Sequence, residues 1–399
     1  MPLAIYILGL SIFAQGTSEL MLAGLIPEMA ADLRVSVPEA GLLISAFAMG
    51  MLVGAPVLAV LTMRWPRRTA LLTFMAVFVL SHVAGALTSS YTVVFATRVV
   101  GAFVYAGFWA VAASTAVGLV PANARGKAMS VLAGGLTVAT IVGLSLGTVI
   151  GQHLGWRAAF WAVAALSALA GAGVLSTIPG GRPEAGATPR VSDELRSMIN
   201  PRLWLAYGTT ALTTGALLAS FSYLSVLLVG TTGLDPAWVP AVLALYGVGS
   251  LIGITIGGRT ADARPFPSLY LGVAGLIVCS VALALTASVP VTAIALIFLL
   301  GAFGFGMNPA LNTRVFSLAK DAPTLAAAVN VSSFNVGITV GPWLGGLAIG
   351  AGLGYPSVAW IGAAIGVLAL ATVAVAGVLH RSPAPERGGV PSAVSTTTG

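Results

Sequence analysis

The chain has 399 residues, of which 58% are hydrophobic and only 7% charged, against about 25% charged in a soluble domain; so few charges cannot cover a water-facing surface, which excludes a soluble enzyme. The net charge of +7 does not point to nucleic acid, because the basic residues sit in short gaps between apolar runs and form no single patch. Cys279 is the one cysteine, so no internal disulfide forms, and neither it nor the dispersed His82, His153 and His380 reads as a metal site.

Charge-free runs mark the elements, since a helix crossing a bilayer needs about 20 mostly apolar residues. The first run, at 3–26, lacks a basic leader and continues past Glu19 to Ile26, which fits a membrane span better than a cleaved signal. The acids Glu28, Asp32 and Glu39, near the outer end of this span or in the following loop, are expected to be solvated. Single spans follow at 40–63, 128–156, 158–181, 203–234 and 236–258. The stretch 69–124 breaks at Thr88-Ser89-Ser90 and holds two. The runs 265–313 and 322–380 break near Ser288–Pro290 and Gly352–Pro356, so each is a hairpin of two spans. The fold class predicted is all-α: twelve transmembrane helices in two pseudo-symmetric six-helix halves. The expected divisions are 1–178, a cytoplasmic linker at 179–202, a second half at 203–380, and a disordered tail at 381–399.

Fifteen of the eighteen Lys and Arg residues fall in alternate gaps or the tail. The positive-inside rule places these gaps, and with them both termini, in the cytoplasm of a cell-membrane protein. A gapless shift of 199 residues superposes Gly50, Gly54, Gly147 and Gly151 on Gly249, Gly253, Gly346 and Gly350. One offset serving two separate regions, and equal to half the chain, indicates an internal repeat. No G-x-x-x-x-G-K-[ST] loop is present, since Ala128 follows Gly126-Lys127, so the energy source expected is a gradient and not ATP. The sequon Asn330-Val331-Ser332 lies within a predicted span and is set aside.

Several motifs carry a family resemblance. Ala59-Val60-Leu61-Thr62-Met63-Arg64-Trp65-Pro66-Arg67-Arg68 resembles the G-x-L-a-D-R-x-G-R-R loop of the major facilitator superfamily, with Met63 in place of the acid. The second half keeps an acid in Gly258-Arg259-Thr260-Ala261-Asp262. Arg98 with Gly101 and Ala102 is similar to the family's span-4 motif. Gly337 through Gly346 in span 11, including Gly341 and Pro342, fits the antiporter pattern G-x-x-x-G-P-x-x-G-G. In span 5, Gly143-Leu144-Ser145-Leu146-Gly147 has Ser145 where similar exporters carry proline; serine would only back-bond to the Ile141 carbonyl and bend the helix slightly. The first span, Phe13 to Glu28, most resembles the twelve-span drug/proton antiporters, the actinobacterial chloramphenicol exporters in particular. That resemblance implies proton-driven efflux of a small neutral drug, chloramphenicol first, by a monomer with no cofactor beyond the proton gradient, its partners being drug, protons and the lipid bilayer. It also implies gating by Arg64, Arg67, Arg68 and Asp262. Composition and spacing alone support only a gradient-driven transporter; the alternatives are an exporter of another small solute, such as a sugar, and a non-transporting membrane receptor or sensor, against which the repeat and Glu19 argue.

Two charged residues inside spans are the first candidates for function. A carboxylate there costs about 2.5–3.5 kcal/mol on insertion scales, so Glu19 is the expected proton carrier. Arg98, which holds its proton, is its expected companion for a counter-charge, polar backbone or ligand. Ser11, Gln15 and Ser18 form a helical stripe beside Glu19, and Tyr105 and Trp109 continue the face of Arg98. Tyr223, Tyr246, Asn308, Asn312 and Asn335 are second-half candidates for the substrate wall; packing is the competing role for each.

Overall fold

The computed structural model describes residues 1–62, 65–121, 124–180, 200–261, 264–319 and 323–381. They form helices and connecting turns, with no strand among the described residues. Arg64, Asp262, most of the expected linker and nearly all of the tail lie outside them.

Among the described residues the helices assemble into twelve spans. Spans 1 to 6 are Leu3–Leu20 continued by Leu22–Leu33, Val37–Leu61, Arg67–Leu87, Tyr91–Gly118, Arg125–Val138 continued to Leu154, and Trp156–Thr177. Spans 7 to 12 are Pro201–Phe221 continued by Leu224–Gly230, Val239–Ala261, Pro265–Thr286, Pro290–Gly306 continued by Asn308–Leu318, Pro323–Gly350, and Ser357–Arg381. Eleven contain described stretches long and apolar enough to cross a membrane; Pro323–Gly350 is the twelfth. The expected breaks appear as the turns at 88–90, 287–289 and 351–356.

Local chemistry sets the ends. Proline opens spans 7, 9 and 10 at the first helical position, where its missing N–H is not needed. Ser36 and Glu39 form a reciprocal capping box at the start of span 2, with the Ser36 N–H donating to the Glu39 carboxylate at 2.7 Å. Gly155, at φ +82°, turns span 5 into span 6 in one residue.

Two expectations about span ends are corrected. Span 1 runs to Leu33 and not to Ile26. Glu28 and Asp32 lie in the helix; Asp32 is exposed, as expected, and there the Trp156 indole donates to it at 2.9 Å and Arg157 pairs with the same carboxylate. Glu28 is half-buried, with Oε2 buried and unpartnered, and is not freely solvated. Span 10 runs past 313 to Leu318, so Arg314, expected in a loop, is a buried helical residue at 9% exposure.

The repeat has a physical basis. A Cβ on Gly50 would collide with the Val99 carbonyl, and one on Gly54 with the Phe103 carbonyl. At the repeat positions, a Cβ on Gly249 would meet the Phe298 carbonyl and one on Gly253 the Ala302 carbonyl. The same offset relates both the glycines and the carbonyls they approach. Span 2 therefore lies on span 4 as span 8 lies on span 10, backbone to backbone, as small residues allow in lipid.

Candidate functional site

The close contacts between the halves gather toward the end opposite the basic loops. Ser45 of span 2 donates to the Thr339 carbonyl of span 11 at 2.8 Å. Ser225 of span 7 donates to the Ala23 carbonyl of span 1 at 2.7 Å. Gln152 at the end of span 5 donates to the Pro236 carbonyl at 2.8 Å. Tyr223 sits in the middle of this seal. It is fully buried, donates to the Pro342 carbonyl at 3.1 Å, and fills space left by Gly41 and Gly346. The structure thus places Tyr223 and Pro342 in the closure between halves.

The ionisable centre lies in the first half. The backbone carbonyl of Phe78 can only accept, so the contact of 2.9 Å to His82 Nδ1 puts the ring proton there. In the neutral ring Nε2 is then an acceptor. The Ser18 hydroxyl donates to it at 2.6 Å, and Arg98 Nη1 donates to Ser18 Oγ at 2.7 Å. Spans 1, 3 and 4 are tied by this Arg98–Ser18–His82–Phe78 chain, with His82 neutral. Phe47 of span 2 completes the setting: the Arg98 guanidinium lies 4.2 Å over its ring. Arg98 is only 1% exposed.

The chain leaves polar atoms over, donors and an acceptor. Arg98 Nε and Nη2 are buried without a partner, as are Gln15 Oε1 and the Tyr105 hydroxyl. Tyr105 has the Trp109 indole as an electrostatic neighbour, but no bond of acceptable geometry forms between them. Leaving such groups unmade costs about 1–3 kcal/mol each, so the cluster carries unmet polar capacity. Glu19, next to Ser18, is partly exposed and feels the charge of Arg98. No salt bridge joins them; the one ion pair among the described residues is Arg157–Asp32.

The second half supplies a separate polar chain. Asn312 donates to the Asn308 carbonyl at 3.0 Å, Asn330 donates to Asn312 Oδ1 at 2.7 Å, and Thr210 donates to Asn330 Oδ1 at 3.3 Å. Asn335 donates to the Val331 carbonyl at 2.9 Å while its Oδ1 is buried and unpartnered. Tyr246 is stacked on Phe221, with ring centroids 4.4 Å apart.

Sequence reasoning misses His82 and Asn330. The one legible signal for His82 is a histidine inside an apolar span, which packing explains equally well. Asn330 is set aside with its sequon.

The motif residues have structural neighbours. Gly143, Gly147 and Gly151 lie against Thr17, Met21 and Leu25 of span 1. Ala139–Gly143 forms a π-helical turn, and Ser145 just beyond it donates to the Ile141 carbonyl at 2.8 Å. Gly341 lies against the Gly215 backbone of span 7. Arg67 reaches the Ser114 carbonyl at 3.4 Å, and Arg68 lies beside Gly180. Among the described residues no group of His, Cys, Asp and Glu is arranged for a metal ion.

Among the described residues, twelve apolar spans around a polar, ionisable interior define a multi-pass membrane protein, and its family makes it a transporter and not an enzyme. The chain belongs to the Major Facilitator Superfamily, whose family model matches residues 8–333. It is 45% identical over 374 residues to a chloramphenicol resistance protein of Streptomyces lividans, covering 93% of this chain and 95% of that one. It is 35% identical over 366 residues to the inner membrane transport protein YdhP of Escherichia coli K12, covering 92% and 94%. A bacterial homologue of the human lysosomal transporter Spinster, solved inward-facing and unoccupied, superposes with a TM-score of 0.71 at 17% identity over 95% of both chains, a likeness of fold alone.

Proposed function

We propose that the protein is a proton-coupled efflux antiporter that exports a small neutral drug, chloramphenicol first, by alternating access. The observation that carries this is the partly exposed Glu19 beside buried, unpartnered nitrogens of Arg98. Glu19 can bind or release a proton, and Arg98 and Gln15 offer polar handles to an uncharged ligand beside the packed rings of Phe47 and Tyr105. The likeness to a chloramphenicol resistance protein supports the choice of drug.

The basic loops mark the cytoplasmic end, with both termini there. Since the halves seal at the other end, the state described is inward-facing, ready to load drug from the cytoplasm. The protein acts as a monomer, each copy containing both halves of the site. Arg64, Arg67, Arg68 and Asp262 gate the cytoplasmic end, while Tyr246, Asn308 and Asn335 belong to the substrate wall of the second half.

The test is efflux of labelled chloramphenicol from proteoliposomes under an imposed pH gradient. Gradient-dependent drug movement that stops when the gradient is collapsed supports antiport. Equal movement with and without the gradient, or none in active protein, rejects it.

A further inference from the structure

A second site lies far from Glu19, at the basic end of the second half. Here the ends of spans 7, 9, 10 and 12 enclose a cavity of about 250 Å³. That is below the roughly 300–1,000 Å³ of drug-sized sites. Three basic residues, Arg202, Arg314 and His380, line it, and no carboxylate does so among the described residues. Arg314 is the telling member. It is 9% exposed, its Nη1 is buried without a partner, and its guanidinium lies 4.8 Å over the Phe266 ring. A buried arginine without a counter-charge is expensive, and the proposed transport site does not use it.

The surroundings identify the chemistry. The cavity sits where four helices end, at the depth of the membrane surface. From its rim, Leu379, Val375 and Leu368 continue along one face of span 12 as exposed apolar residues. A ligand with an anionic head in the cavity and hydrocarbon along this stripe satisfies both parts. We propose that this cavity seats the phosphate of an anionic phospholipid headgroup, with Arg202, Arg314 and His380 as its donors. Basic pockets between spans are suited to such headgroups. A free phosphate would meet the same donors and leave the stripe unused.

Native mass spectrometry of protein released from mixed phosphatidylglycerol and phosphatidylcholine micelles tests this. Wild-type protein should retain phosphatidylglycerol in preference, by about fivefold or more. R202Q/H380Q changes exposed or half-buried positions, so it should fold, and it should lose most of that preference. R67Q/R68Q removes charge from the basic loop of the other half and should keep it. Equal loss in both variants means diffuse attraction and overturns the proposal. Absence of preference in the wild type does the same. Inorganic phosphate should not raise the melting temperature as phosphatidylglycerol does; equal stabilisation overturns the lipid assignment.

Discussion

Arg98 donates its hydrogen bond to the Ser18 hydroxyl at 2.7 Å and forms no salt bridge with Glu19, the next residue in the chain. One side chain on span 4 therefore stands between two partners on span 1, a neutral one that it holds and an acidic one that it does not. His82 fixes this choice by accepting the hydrogen bond of the Ser18 hydroxyl, which leaves Ser18 Oγ free to accept from Arg98. Arg98 is thus free to change partner when Glu19 becomes charged, and such an exchange can drive a shift of one helix against another.

Ser18→Ala should remove this resting place. His82 Nε2 and Arg98 Nη1 would both lose their partner, costing about 1–3 kcal/mol of stability. Gradient-driven efflux should fall, because Arg98 would be drawn to Glu19 in both protonation states. Thermal unfolding in detergent and proteoliposome efflux check the two effects. Wild-type values for both would show that the chain of bonds is incidental.

The close backbone approaches make a paired prediction. Gly54→Val and Gly253→Val each place a side chain against a carbonyl of the facing span. Each should destabilise by about 1–3 kcal/mol through overpacking, and the losses should be alike because the sites are repeat equivalents. Melting temperature of the purified variants measures this. A large loss in one and none in the other would deny the equivalence.

Tyr223→Phe should loosen the seal. It removes the bond to the Pro342 carbonyl while keeping the ring between Gly41 and Gly346. A bond of this kind contributes about 1 kcal/mol, so the ratio of outward-open to inward-open protein should rise about fivefold. Labelling of a cysteine placed at Ser45, in the wild-type background and in the Tyr223→Phe background, reads that ratio. Unchanged labelling would assign Tyr223 to packing alone.

The spans are legible in the sequence because lipid leaves few choices: uncharged runs must be helices, and charges collect between them. Repeat glycines are legible because backbone contact demands a missing side chain. Helical spacing correctly sets Ser18 beside Glu19, but it cannot reveal a partner 64 residues away on span 3. Asp32 is exposed as expected, but its place in a helix and its partners Trp156 and Arg157, 124 and 125 residues away, are not legible in the sequence. Arg314 misleads, because periodicity names a face of a helix and not what meets it. Tyr223 reads as a ligand contact because an aromatic in a cavity wall and one in a seal have the same sequence signature.

Glu19→Gln tests the coupling itself. Under the proposed mechanism, protonated Glu19 is neutral and lets the cavity close and dehydrate. Deprotonated Glu19 carries a charge that water, Arg98 or the polar part of a drug must meet. Drug binding is therefore linked to proton release, and linkage makes each ligand weaken the other equally. Drug affinity should rise as pH rises through the titration of Glu19 and level off above it. Glutamine fixes a neutral side chain of the same size, so the variant should bind drug with no such pH dependence. It should fail to export against a gradient while still exchanging drug passively. The competing account makes Glu19 a structural link between spans; glutamine would then lower yield or melting temperature and leave coupling intact. Efflux driven by an imposed pH gradient, at matched protein levels, separates the two. Full gradient-driven export by the glutamine variant would move the proton site elsewhere, and Glu28, half-buried in the same span with an unpartnered oxygen, would be the next residue to neutralise.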